Sequence, residues 1–99
     1  MTVTCSLHDI NFEWDEEKAA SNIINHGVSF ETACEAFFDP FLKVEDASVD
    51  EDEQRDANLG MTLDWRLLYV VFVIRETDVV RIISARKAMP EERRRYESE

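Results

Sequence analysis

Glycine is nearly missing from this chain, with two residues in 99, Gly27 and Gly60. A glycine-rich loop that cradles phosphate with its backbone is therefore excluded. The two prolines, Pro40 and Pro90, stand alone and form no linker. The two cysteines, Cys5 and Cys34, have neither metal-ligand spacing nor a CxxC pattern. Cys34 sits among Ala33, Ala36 and Phe37, where a thiol serves as a small apolar filler. No apolar run approaches the roughly 20 residues of a membrane-spanning helix. The longest, residues 67–74, has the length of a strand. The first nine residues show no basic or apolar region of a secretory signal. HExxH is absent as well, and no nucleophile–base pair can be read from spacing. These absences lead us to expect one domain over residues 1–99, cytoplasmic and free of membrane, with no cofactor and no metal.

Basic charge is scarce and unevenly placed. Residues 1–65 hold 16 acidic and 3 basic side chains, a balance of −13. Residues 66–99 hold 6 and 8, a balance of +2, within a total of −11. Such a total opposes simple binding along a phosphate backbone, so any contact with an anion is expected from the last third of the chain. Residues 45–56 contain seven acids and one arginine and read as a solvated loop.

What is present is an apolar content of 44%, enough for a packed interior. Asp15 is a good N-cap, Glu16 and Glu17 suit the first turn, and Gly27 suits the left-handed C-terminal position, predicting a helix over residues 16–26. Ala19, Ala20, Ile23 and Ile24 form its apolar stripe. Ser29 caps a second helix, with Val28 and Ala33 at staple positions, and Asp39-Pro40 stops it. Both helices need a sheet to lie on. Strands are expected at 41–45, weakly at 56–61, and strongly at 65–75, which is apolar on both faces and hence central. Residues 76–78 form a hairpin tip and residues 79–86 return antiparallel. Pro90 then opens a final helix at its first position. The expected class is α+β: two N-terminal helices packed on an antiparallel sheet, followed by a C-terminal helix.

The chemistry-bearing residues are basic. Strict strand alternation places Arg81 with Ile83 and Ala85, and Arg86 with Val80, Ile82 and Ser84. Arg81 then interrupts an apolar strand, which requires either a carboxylate partner or an anionic ligand. A guanidinium is a permanently charged, planar match for phosphate. Arg93 shares a helix face with Tyr96, whereas Arg94 and Arg95 read as solvated. His26 has the ordinary pKa suited to proton transfer near neutrality; its alternative role is interaction with the C-terminal end of its helix. His8 reads as having no role.

Two separated motifs carry a resemblance. Phe12-Glu13-Trp14-Asp15, Lys18, Asn22, His26-Gly27-Val28-Ser29-Phe30, Ala33 and Phe37 resemble the opening signature of the BrnT-type toxins. Arg81-Ile82-Ile83-Ser84-Ala85-Arg86, Ala88, Glu92-Arg93 and Tyr96 resemble the closing one, with Gly60 and Arg66-Leu67-Leu68 between. The likeness spans about residues 12–97. It implies a RelE-like fold, metal-independent RNA cleavage that inhibits growth, and neutralisation by a ribbon-helix-helix antitoxin, which alone touches DNA. On this reading His26, Arg81, Arg86 and Arg93 are the catalytic candidates. Arg66, Lys87 and Arg94 are the candidates for further RNA contact. The alternative is a catalytically inert homologue, a protein-binding module within an autorepressing complex. The sheet and last helix are the expected partner surface.

Overall fold

The structure, a computed structural model, describes residues 1–48 and 53–98. Of the acidic segment 45–56, residues 49–52 lie outside this description. The chain begins with a hairpin that the sequence reading passed over: β1 (Thr2–Leu7) and β2 (Ile10–Asp15), paired antiparallel with Leu7 opposite Ile10. His8 and Asp9 form its two-residue turn, both in the left-handed region at φ 50° and 68°, the geometry that suits a tight hairpin. Val3, Cys5 and Leu7 alternate inward beside Phe12 and Trp14.

Asp15 ends β2 and begins α1 (Glu16–His26), its carboxylate accepting the Lys18 N–H at 3.0 Å. Gly27 closes the helix at φ 69°. Of the predicted apolar stripe, Ala19 packs against the core but Ala20, Ile23 and Ile24 do not. Ile23 and Ile24 are 51% and 83% exposed, and Asn22 is the residue α1 buries. The reason is position: α1 packs against β6 (Val80–Lys87) and meets it through the Asn22 carboxamide. α2 (Phe30–Glu35) is capped by Ser29 Oγ as expected, buries Phe30, Ala33 and Cys34, and tightens into a 3-10 turn, Ala36–Phe38, before Pro40.

β3 (Lys43–Asp46), β4 (Asp56–Met61), β5 (Leu67–Ile74) and β6 form an antiparallel meander. β2 then joins the free side of β6 in parallel, Phe12 opposite Val80 and Glu13 opposite Arg81. The sheet is therefore mixed, in the order β1-β2-β6-β5-β4-β3, and strands precede the first helix. One face, bearing Phe12, Trp14, Leu68, Val70, Phe72, Ile82 and Ala85, packs with α2 residues in the core. Trp14 meets Phe30 edge to face at 5.9 Å between ring centroids, and Phe37 meets Phe72 at 5.0 Å. Cys34 is buried here as expected, and that burial pushes its thiol up to about 12. Gly60 lies directly beneath the 3-10 turn: a Cβ on it would stand 2.2 Å from the Ala36 carbonyl oxygen.

α3 (Pro90–Glu97), with Pro90 at its first position, packs against β4. Tyr96 donates to Asp39, Arg95 pairs with Glu45, and the Lys43 ammonium donates to the Ser98 carbonyl. Arg95 is thus a tether across to β3 rather than a free solvated side chain. No helix among the described residues is long and apolar enough to cross a membrane.

Candidate functional site

The last strand carries the site, and a local irregularity decides its geometry. Across β5 and β6, Phe72 faces Ile82 but Val71 faces Ser84, so Ile83 is an extra residue in β6. This bulge reverses the alternation beyond it. Arg81 (opposite Val73), Ser84 (opposite Val71) and Arg86 (opposite Tyr69) therefore share the face opposite the one that packs with α2 in the core. Strict alternation had set the two arginines on opposite faces; the bulge corrects that.

Each arginine meets a carboxylate. Arg81 donates to Glu13 at 2.8 Å, and Arg75 stands 3.9 Å from the same oxygen, so this group retains one surplus positive charge. Arg86 donates from both terminal nitrogens to the two oxygens of Glu92, each at 2.8 Å, and lies 4.4 Å from the centre of the Tyr69 ring. Hydrogen bonding from Arg86 holds the Glu92 carboxyl below the usual range, outweighing the burial that would raise it. Glu92 also accepts the Met89 N–H at 2.8 Å and so fixes the start of α3. Among the described residues three of the five guanidinium donors of Arg86 are used, two on Glu92 and one on the Lys87 carbonyl, and two have no acceptor. Among the described residues Arg93 has one loose ion-pair partner, Glu97 at 3.9 Å one turn on.

On the edge of β6 not covered by β2, α1 completes the pairing. Asn22 donates to the Ala85 carbonyl at 2.8 Å and to the Val28 carbonyl at 2.9 Å, and it accepts the Ala85 N–H at 3.1 Å. One carboxamide thus replaces the strand neighbour that β6 lacks there. Beside it runs a groove of about 450 Å³ lined by Asp15, Lys18, Ser21, Asn25, His26 and Ser84, among others. Among the described residues nothing bonds the His26 imidazole or the Lys18 ammonium. His26 reaches this groove as part of α1, and Ser84 belongs both to the groove and to the arginine face. The groove lining includes none of the predicted arginines.

The remaining candidates are spread out. Arg66 is held by Asp64 at 3.0 Å in the turn before β5. Lys87, at the end of β6, and Arg94, on α3, are exposed, with no side-chain partner among the described residues. Glu13, Glu92, Tyr69 and Asn22 were missed as members of the site. Glu92 alone had a legible signal, as the third residue of a Pro-opened helix, where a carboxylate reaches back to the cap. Among the described residues no group of three His, Cys, Asp or Glu side chains is placed to hold a metal ion.

Three comparisons bear on this arrangement. The chain matches no curated protein. Among solved structures it resembles the crystal structure of the Brucella abortus ribonuclease toxin, BrnT, at 27% identity and a TM-score of 0.56, covering 77% of this chain and 92% of that one. The family model described as the ribonuclease toxin, BrnT, of type II toxin–antitoxin systems matches residues 14–92. That span holds α1 with His26, the bulged strand β6 and the Arg86–Glu92 pair, and the chain belongs to the BrnT family of ribonuclease toxins.

Proposed function

We propose that this toxin cleaves RNA without a metal, through attack of a ribose 2′-OH on the adjacent phosphate and departure of the 5′ oxygen. Arg81, Arg86 and Arg93 bind and stabilise the charge developing on the phosphate, and His26 takes part in moving the proton. Arg66, Lys87 and Arg94 contact the flanking backbone. The observation that carries this reading is the three-bond clasp of Asn22 on β6. It fixes the helix bearing His26 against the strand bearing Arg81 and Arg86, so both family motifs work in one rigid unit. Ser84 lines the His26 groove two residues before Arg86, about 7 Å along a strand. The partner on this reading is an antitoxin with a ribbon-helix-helix domain, and DNA is reached only through it.

The test is cleavage of single-stranded RNA, with and without EDTA, by the protein freed of antitoxin. Arg86→Ala is expected to lower the rate about 10²–10³-fold, by analogy with loss of an oxyanion-hole donor. Arg95→Ala, which loses only an exposed pair to Glu45, should change it less than about twofold. Equal rates in wild type and in Arg81→Ala, Arg86→Ala, Arg93→Ala and His26→Ala would place the chemistry elsewhere. The second reading, an inert protein-binding homologue, is favoured by one observation: Arg81 and Arg86 are already engaged by Glu13 and Glu92. No cleavage by the folded wild type, with or without ribosomes, would select it.

A further inference from the structure

The turn between β4 and β5 is built where a polar tip is expected, yet it presents two large apolar side chains. Leu63 is 84% and Trp65 83% exposed. The turn is nonetheless fixed from several sides. The Thr62 carbonyl accepts the Trp65 N–H at 3.1 Å, and the Thr62 hydroxyl accepts the Arg66 N–H at 3.1 Å. Asp64 takes the Arg66 guanidinium, and Glu35 accepts the Leu63 N–H at 3.0 Å. Trp65 itself is held at φ 64°, a backbone region that bulky residues rarely adopt. A side chain displayed from an anchored turn loses little freedom on binding, and tryptophan is the residue most often found at the energetic centre of interfaces.

Leu63 and Trp65 form one wall of a hollow of about 380 Å³ whose other walls include Phe38, Phe41 and Tyr96. Phe41 is also 73% exposed. A second hollow of about 300 Å³ adjoins it, sharing Glu35, Phe38 and Leu63 and reaching Leu7 and His8. Contiguous exposed apolar surface of this kind marks an interaction site. Its charge indicates the partner. Glu31, Glu35 and Asp39 line the two hollows, Asp64 stands in the turn, and His8 is the sole lining residue able to carry positive charge. Two copies of this chain, each at −11, would bring like rims together, and RNA would be repelled by the same carboxylates.

We propose that this double hollow is the docking site for a basic, amphipathic segment of the antitoxin. Apolar side chains of that segment enter between Trp65, Leu63 and Phe41, and its lysines or arginines face Glu31, Glu35, Asp39 and Asp64. The inference rests on the toxin–antitoxin reading of the family. It places neutralisation on residues separate from His26, Arg81, Arg86 and Arg93, so binding and chemistry are separable by mutation.

The test is titration of the purified full-length toxin with the product of the adjoining reading frame, alongside RNA cleavage. Trp65→Ser and Leu63→Ser should each weaken binding about 30-fold or more, the effect of losing a hot-spot side chain. Glu31→Gln should weaken it about threefold and flatten its salt dependence. Ile24→Ser, an exposed apolar residue on α1, should change nothing. Unchanged melting of the Trp65 and Leu63 variants confirms that folding is not the cause. Binding by wild type with no loss in either variant overturns the site while leaving the toxin–antitoxin pairing intact. Failure of wild type to bind overturns both together. Two further outcomes overturn it in favour of another occupant: a wild-type dimer that Trp65→Ser dissociates, or a Trp65→Ser protein that loses cleavage and keeps antitoxin affinity.

Discussion

Replacing Asn22 tests the structural premise on which the site depends. Its side chain is buried and satisfies three buried backbone groups: the Val28 carbonyl, the Ala85 carbonyl and the Ala85 N–H. In Asn22→Ala all three lose their partner. At about 1–1.5 kcal/mol for each bond, with the orphaned N–H at the upper end, the loss is roughly 3–4 kcal/mol. That is a large share of the ~5–15 kcal/mol that holds a domain together. For a chain of this size it corresponds to a fall in melting temperature of at least about 12 °C. Asn22→Asp is the sharper variant because its shape is unchanged. It keeps the acceptor for Ala85 N–H but turns a carboxylate oxygen toward two carbonyls, so it should be less stable than Asn22→Ala at pH 7. Protonation should restore part of the loss as pH falls toward 4. Thermal melts and urea midpoints at both pH values measure this. A melting temperature for Asn22→Asp within 2 °C of wild type at pH 7 would refute the clasp.

Gly60→Ala should cost about 2–3 kcal/mol by overpacking, because its Cβ would collide with the Ala36 backbone. Gly27→Ala, which has open space around it but a φ of 69°, should cost nearer ~1 kcal/mol; urea midpoints of the pair separate clash from backbone strain. The Asp39 carboxyl is held below its ordinary range: burial pushes it up, but bonds from Tyr96 and from the Phe41 and Met61 N–H groups outweigh that. A depressed folded-state pKa contributes stability above the unfolded value near 4, lost as pH falls through the folded value. Asp39→Asn should therefore lower the urea midpoint at pH 7 and flatten its fall below pH 4. Tyr96 is pushed up to about 12 by burial and by its bond to Asp39. Its contribution is present below the ordinary tyrosine value near 10 and is lost as pH rises toward 12. Tyr96→Phe should remove that alkaline limb from the urea midpoints between pH 9 and 12.

Local signals told the most about this chain. Asp15, Ser29, Gly27 and Pro90 sit where they were expected, because a cap is a property of three or four neighbouring residues. The β5–β6 hairpin was legible for the same reason. The first hairpin was not, since His8-Asp9 lacks the glycine that signals a tight turn and its strands alternate only briefly. The parallel pairing of Phe12 with Val80 depends on contacts across most of the chain, which no periodicity records. Ile23 and Ile24 misled because helical spacing says which residues share a face, not which face is buried. At the site, the arginines were visible as residue types. Their faces were not, because a bulge leaves no mark in the spacing; neither was the carboxylate partner on β2, and Glu92 on α3 was legible as a capping residue but not as the partner of Arg86.

The parallel insertion of β2 beside β6 has a consequence in time. Glu13 and Asn22 are synthesised long before their partners Arg81 and Ala85. At roughly 5–20 residues per second the delay for Asn22 and Ala85, 63 positions apart, is about 3–13 s. Throughout that interval the groove has only its helical wall, and Arg81 and Arg86 have not been synthesised. On the proposed reading the nascent chain therefore lacks its phosphate-binding arginines throughout, and an antitoxin has those seconds in which to be waiting.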